Sequence, residues 1–260
     1  MMKKNLLLIL MCFVCGLVYA HDGLNFRNLD VKSGISDNYV RSVLRNRYGF
    51  MWFATLNGLN RYDGYQFKKY TTTQLGAYNN DIESIAEDAA GNIWIKGPVS
   101  YYIYDREQDK LENKIQPILN KYGITGEVSY LTVDKDYNLW CTVMDTLFHY
   151  DFTKNKLHTF QLPGKEKMQQ VVCRRSCAYL LFSNGEIARI DSNFQQIRPE
   201  TRRTLSSGLQ YNLYIDTVDR LWFYASHASG LQCYDTNQKQ WDRLHRWAGI
   251  DRCVDNCRNG

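Results

Sequence analysis

Apolar residues in this chain come in short bursts cut by Gly, Asn and Asp, and no stretch sustains the 3.6-residue stripe of an amphipathic helix. The segment from Ile82 to Tyr104 shows the pattern. It predicts a strand over Ile82–Ala86, a turn at Asp88-Ala89-Ala90-Gly91, a second strand over Ile93–Lys96 and a third over Tyr101–Tyr104. An Asp that opens such a turn accepts backbone hydrogen bonds, and Gly91 supplies the positive φ that a type I turn with a following bulge requires. A fourth strand follows, marked by Leu111 and by its counterparts Leu157, Ile197 and Trp241, and less regularly by Phe67.

This unit recurs five times. Trp52, Trp94, Trp140, Leu180 and Trp222 hold one column; Asp63, Asp105, Asp151, Asp191 and Asp235 hold another, 11 residues later in four copies and 13 in the last. Val43, Ile85, Leu131, Val171 and Leu213 stand nine residues before the first column, and Leu59, Tyr101, Leu147, Ile187 and Leu231 four before the second. A period of roughly 40 residues with four short strands per unit describes a β-propeller blade. The fold class is therefore all-β: an incomplete propeller of four-stranded blades, over residues 34–73, 79–115, 124–162, 167–198 and 209–246, with a sixth begun at 248–260. A helical repeat of the same period fails on composition, since Trp, Tyr, Val and Ile dominate the bursts. The helix-like stretch from Gln116 to Tyr122 reads as a connector between blades.

Residues 1–20 read as a signal peptide: Lys3 and Lys4, an apolar run from Leu6 to Val18, and Val18-Tyr19-Ala20 before His21. A mature chain from His21 would lie outside the cytoplasm, and no later apolar run approaches the roughly 20 residues that span a bilayer. Without the leader the formal charge of +5 falls to +3, too weak a bias to indicate nucleic acid, and no basic run is interleaved with aromatics. Six cysteines remain: Cys141, Cys173, Cys177, Cys233, Cys253 and Cys257. Export permits disulfides, with connectivity open. Repeat register gives Cys141 the column of Phe53, Ile95, Leu181 and Phe223, a core position. The cysteine spacings and scattered histidines exclude a zinc pattern, so neither metal nor cofactor is expected.

The first copy runs from Gly34-Ile35-Ser36-Asp37-Asn38 through Gly49-Phe50-Met51-Trp52 to Gly58-Leu59-Asn60-Arg61-Tyr62-Asp63-Gly64 and resembles the two-component regulator propeller repeat. The resemblance extends over about Leu24 to Leu244 and is weakest in copy four, where Leu180 stands in the Trp column and Cys177 in that of the turn Gly. It implies the periplasmic sensor region of a Bacteroidetes hybrid two-component histidine kinase whose intact form sits in the inner membrane. It also implies an oligosaccharide ligand, downstream kinase domains, a homodimer and control of polysaccharide utilisation. Family propellers have seven blades, so five copies imply an N-terminal fragment, and Leu24 to Leu29 is the expected closing strand.

No catalytic residue is expected. Asp88-x-x-Gly91-x-x-Trp94 superficially resembles the Asp-box of sialidases but is one residue longer, and such boxes are turn devices. A secreted glycan hydrolase or lyase and a protein-interaction scaffold remain the alternatives. The ligand-contact candidates are off-register groups of the type that stack on or hydrogen-bond to sugars: Arg61, Tyr78, His227 and Trp247. Trp52, Trp94, Trp140 and Trp222 read as blade packing, and Trp241 as core.

Overall fold

The computed structural model describes residues 26–164, 166–174, 177–191, 193, 196–202, 211–225 and 231–242. Five antiparallel sheets of four strands follow one another along the chain. The first holds β1 (Val40–Arg45), β2 (Met51–Thr55), β3 (Gly58–Tyr62) and β4 (Phe67–Tyr70); the second β5 (Ser84–Glu87), β6 (Ile93–Lys96), β7 (Tyr101–Asp105) and β8 (Lys110–Glu112). The third holds β9 (Val128–Val133), β10 (Leu139–Val143), β11 (Thr146–Asp151) and β12 (Lys156–Gln161). In the fourth are β13 (Met168–Arg174), β14 (Cys177–Phe182), β15 (Glu186–Ile190) and β16 (Ile197–Arg202); in the fifth β17 (Tyr211–Ile215), β18 (Arg220–Ala225), β19 (Gln232–Asp235) and β20 (Gln240–Asp242). Each sheet is a meander whose first strand is innermost: β1, β5, β9, β13 and β17 lie side by side in that order. The sheets are thus blades fanned about an axis. The connector expected between blades two and three is α1 (Gln116–Lys121), with Pro117 in its first turn, where its missing N–H costs nothing.

Because side chains alternate across a strand, every blade has two apolar faces and both must be covered. Trp52, Ala54 and Leu59 of the first blade pack on Ile85, Ile95, Tyr102 and Tyr104 of the second. Trp94 and Ile103 pack on Leu131, Cys141 and Tyr150, with Leu119 of α1 filling the same seam. Burying an indole of roughly 200 Å² at about 25 cal/mol per Å² stabilises each such seam by several kcal/mol. The strands of blade one lack a preceding described blade, and Val43 is 53% exposed where its equivalents are buried.

Side chains also stitch the inner strands. The Tyr130 hydroxyl accepts the Val171 N–H at 3.0 Å, and at the equivalent place one blade on, Gln170 donates to the Leu213 carbonyl at 3.0 Å and accepts its N–H at 2.7 Å. The second aspartate column works at the outer hairpin: Asp63, Asp105, Asp151 and Asp235 each accept backbone N–H groups two or three residues on.

Copy four departs from the register expected from sequence. Val171 pairs with Leu180, as Val43 pairs with Phe53 and Leu131 with Cys141. Leu180 therefore faces blade three with Trp140, and the tryptophan place is taken by Tyr179, which packs on blade five. Tyr179 pairs with Arg189 just as Trp52 pairs with Arg61. Two compensating length changes hide this: the β13–β14 hairpin is tighter, with Arg174 opposite Cys177, while the β14–β15 turn is longer by one residue. The blade also runs on to Arg202 rather than stopping near 198. The expected closing strand is not seen where it can be checked, since Phe26 to Leu29 form no strand and Phe26 is 91% exposed. Residues 1–20, 248–260, Cys253 and Cys257 lie outside the described residues.

Candidate functional site: a cleft between the third and fourth blades

In four blades the first hairpin is closed by one five-residue device. Its first residue is Asn46, Asp88, Asp134 or Asp216, and that side chain accepts the backbone N–H four residues on at 2.9–3.0 Å. Its fourth residue has positive φ: Gly49, Gly91, Tyr137 or Asp219. Where the first residue is Asp, the second carboxylate oxygen accepts the indole N–H six residues on, at 2.7 Å in Trp94, 2.9 Å in Trp140 and 2.8 Å in Trp222.

These turns bridge neighbouring blades on one face of the arc. Arg47 of blade one donates to Glu87 and to the carbonyls of Asp88 and Ala89, and the Ala89 N–H donates to the Tyr137 carbonyl of blade three. Arg174 of blade four reaches Asp219 at 2.6 Å and the Thr217 carbonyl of blade five. Between blades three and four the tight β13–β14 hairpin replaces the five-residue device, and a cleft of about 510 Å³ opens there.

The floor of the cleft is built from buried groups. His149 of β11 stacks on Trp140 at 4.0 Å between ring centroids, with Nε2 3.9 Å from Asp134 Oδ2. Burial, reinforced by the nearby His158, pulls the His149 pKa down to about 4 and outweighs the opposing Asp151 carboxylate. Burial raises the Asp134 pKa, opposed by the Trp140 and backbone bonds it accepts. Asp151 pairs with Lys154 at 3.1 Å. The exposed rim comprises Lys135, Asp136, Tyr137, Thr153 and Lys154. With the floor carboxylates tied to turns and an indole, the arrangement is suited to holding a small molecule rather than to acid–base chemistry. Among the described residues no cluster of three or more His, Cys, Asp or Glu side chains is placed to hold a metal.

The candidates from sequence do not meet here. Arg61 lies in the seam of blades one and two, donating to Tyr104 Oη and Asp109 at 2.9 Å and lying over the Phe50 ring at 4.8 Å. Tyr78 is 99% exposed in the β4–β5 connection, which topology puts on the face opposite the cleft. His227 and Trp247 lie outside the described residues. Trp241 is half-buried, donates to Thr201 at 2.9 Å and meets Phe223 edge-on, as a packing residue does. Sequence reasoning missed Tyr137, Asp136 and Thr153. Two signals pointed to them: a tyrosine in the turn-glycine column of copy three, and the loss of the Asp-to-Gly turn in copy four.

Residues 34–57 match a family model described as two component regulator propeller. No curated protein matches the chain. Among solved structures, the chain is similar to the extracellular domain of a protein from B. thetaiotaomicron described as a hybrid two component system. The TM-score is 0.58 at 21% identity, over 84% of this chain and 31% of that one. It is also similar to catalytically inactive virginiamycin B lyase from Staphylococcus aureus with quinupristin, with a TM-score of 0.54 at 16% identity, over 78% of this chain and 68% of that one. The chain thus spans about a third of the length of the first. At these identities the shared property is the fold, and the five sheets are blades of a β-propeller.

Proposed function

We propose that this chain is the ligand-sensing propeller region of an exported hybrid two-component regulator and that its ligand is an oligosaccharide. The carrying observation is the repeat of residues 34–57, whose match to the regulator propeller model falls on the first hairpin of an arc of blades with the same grammar. The leader-like pattern of residues 1–20 supports a periplasmic location for the region and an inner-membrane parent. A kinase downstream would read out differential affinity of ligand for two arrangements of the propeller and its dimer partner. The region itself binds and does not catalyse.

The test is a thermal-shift screen of the exported chain against defined oligosaccharides, followed by calorimetry on each hit. A saturable stabilisation by at least one glycan is expected, because a ligand bound to the folded state alone raises stability by mass action. A folded protein that responds to none of them overturns the oligosaccharide reading.

A further inference from the structure

We infer that the cleft between the third and fourth blades is a binding site for a neutral saccharide, with the Tyr137 ring as its stacking platform. The inference rests on the oligosaccharide reading above and adds where the sugar sits and what charge it carries.

The volume of about 510 Å³ falls within the roughly 300–1,000 Å³ of small-molecule sites. The cleft opens beside the described blade that lacks the turn its neighbours keep. Tyr137 carries the second argument. The fourth turn position has φ of 87° in Gly49 and 86° in Gly91, and Tyr137 holds φ of 63° there. A side chain in that region is disfavoured against glycine. Its link to blade two is a backbone carbonyl that any residue would offer. The ring is half exposed at the cleft mouth. The Arg47 guanidinium of blade one lies over the ring at 5.8 Å, and the half of the ring left exposed at the cleft offers a sugar's C–H face a flat aromatic.

Among the described residues, the cations at the cleft indicate a neutral ligand. Lys154 is paired with Asp151, Arg174 with Asp219, and Lys135 lies over the Tyr214 ring at 5.8 Å. A sulfated or uronic-acid glycan would have to compete for charges already engaged. Asp136 and Thr153 on the rim supply an acceptor and a donor for hydroxyls.

The experiment compares the wild-type chain with Tyr137→Gly, Asp136→Ala and, on the opposite face, Tyr78→Ser, titrating each with neutral and with sulfated or uronic-acid oligosaccharides. Tyr137→Gly relieves the positive φ and loses the Arg47 contact, so it is expected to stay close to wild type in stability, yet to bind the neutral hit about tenfold more weakly or worse. Asp136→Ala weakens binding in the same direction, and Tyr78→Ser leaves it unchanged. A wild type that binds no glycan overturns the oligosaccharide reading and this site with it. Wild-type binding unaffected by Tyr137→Gly and Asp136→Ala, or lost in Tyr78→Ser alone, overturns the cleft and spares that reading. Binding confined to anionic glycans overturns the neutral assignment.

Discussion

The Trp94 indole donates to Asp88 Oδ2 at 2.7 Å while Oδ1 of the same carboxylate accepts the Asn92 N–H at 2.9 Å. One side chain thereby closes a hairpin and fixes the rotamer of the residue that fills the next seam. Blades three and five repeat it. Blade one does not: Asn46 caps the turn, and Trp52 Nε1 is buried with no hydrogen-bond partner among the described residues.

Asn46→Asp is therefore expected to stabilise the chain by about 1 kcal/mol at neutral pH, the net worth of a typical hydrogen bond. Asp88→Ala, which orphans Trp94 and uncaps its turn, is expected to cost about 2–4 kcal/mol. Denaturant midpoints measure both. Equal midpoints for Asn46→Asp and wild type would show that blade one tolerates its orphan indole without penalty.

His149 gives an acid dependence whose sign is fixed. Its folded pKa of about 4 lies below the ordinary 6.5, so between those values the unfolded chain binds a proton that the folded chain refuses. Stability is full above pH 6.5 and is lost as pH falls towards 4. His149→Gln should flatten the stability profile across that window while leaving the limb below pH 4 in place. An unchanged slope between pH 6.5 and 4 would assign the dependence to other groups.

Arg61 is held by Asp109 and Tyr104, and Lys68 and Tyr70 converge on the same carboxylate. Arg61→Met is expected to cost about 1–3 kcal/mol through the lost charge-assisted bonds and to leave glycan affinity unaltered. Loss of affinity at unaltered stability would restore Arg61 as a ligand contact.

The cysteines four residues apart in β13 and β14 point away from each other. Cys173 packs with the core of the third and fourth blades, Cys177 with that of the fourth and fifth, and Arg189 donates to the Cys177 sulfur at 3.3 Å. Peptide mapping under non-reducing conditions should recover no Cys173–Cys177 crosslink. Cys141, fully buried and with its thiol pushed up to about 12, should resist alkylation until the chain unfolds.

Most of the fold was legible because blade packing imposes the same demand at every copy. A tryptophan that must fill a seam and an aspartate that must close a hairpin recur at fixed spacing, so Trp52, Trp94, Trp140 and Trp222 announce the blades without a structure. Copy four was misread by one residue for a physical reason. Its short first hairpin and long second turn cancel, so counting back from Asp191 lands on Leu180, and only the strand pairing reveals Tyr179. The cleft left only indirect signs in the sequence, a tyrosine in a glycine column and a turn lost from copy four, and spacing patterns record what is present rather than the space a missing turn opens. Arg61 attracted attention as an off-column polar group, but its partner Asp109 comes from the next blade, a juxtaposition that no single copy displays.

Gln170 meets both backbone groups of Leu213 and so behaves as a borrowed peptide unit, while Tyr130 holds Val171 by one bond at the preceding seam. The spokes are thus pinned near the hub. At the third seam the described pin is single, and what the described turns lay across the cleft is the Lys135 side chain, over the Tyr214 ring at 5.8 Å. A group seated at that seam therefore meets less described cross-bracing than one at the seam of blades four and five, where Gln170 and Arg174 each bond twice.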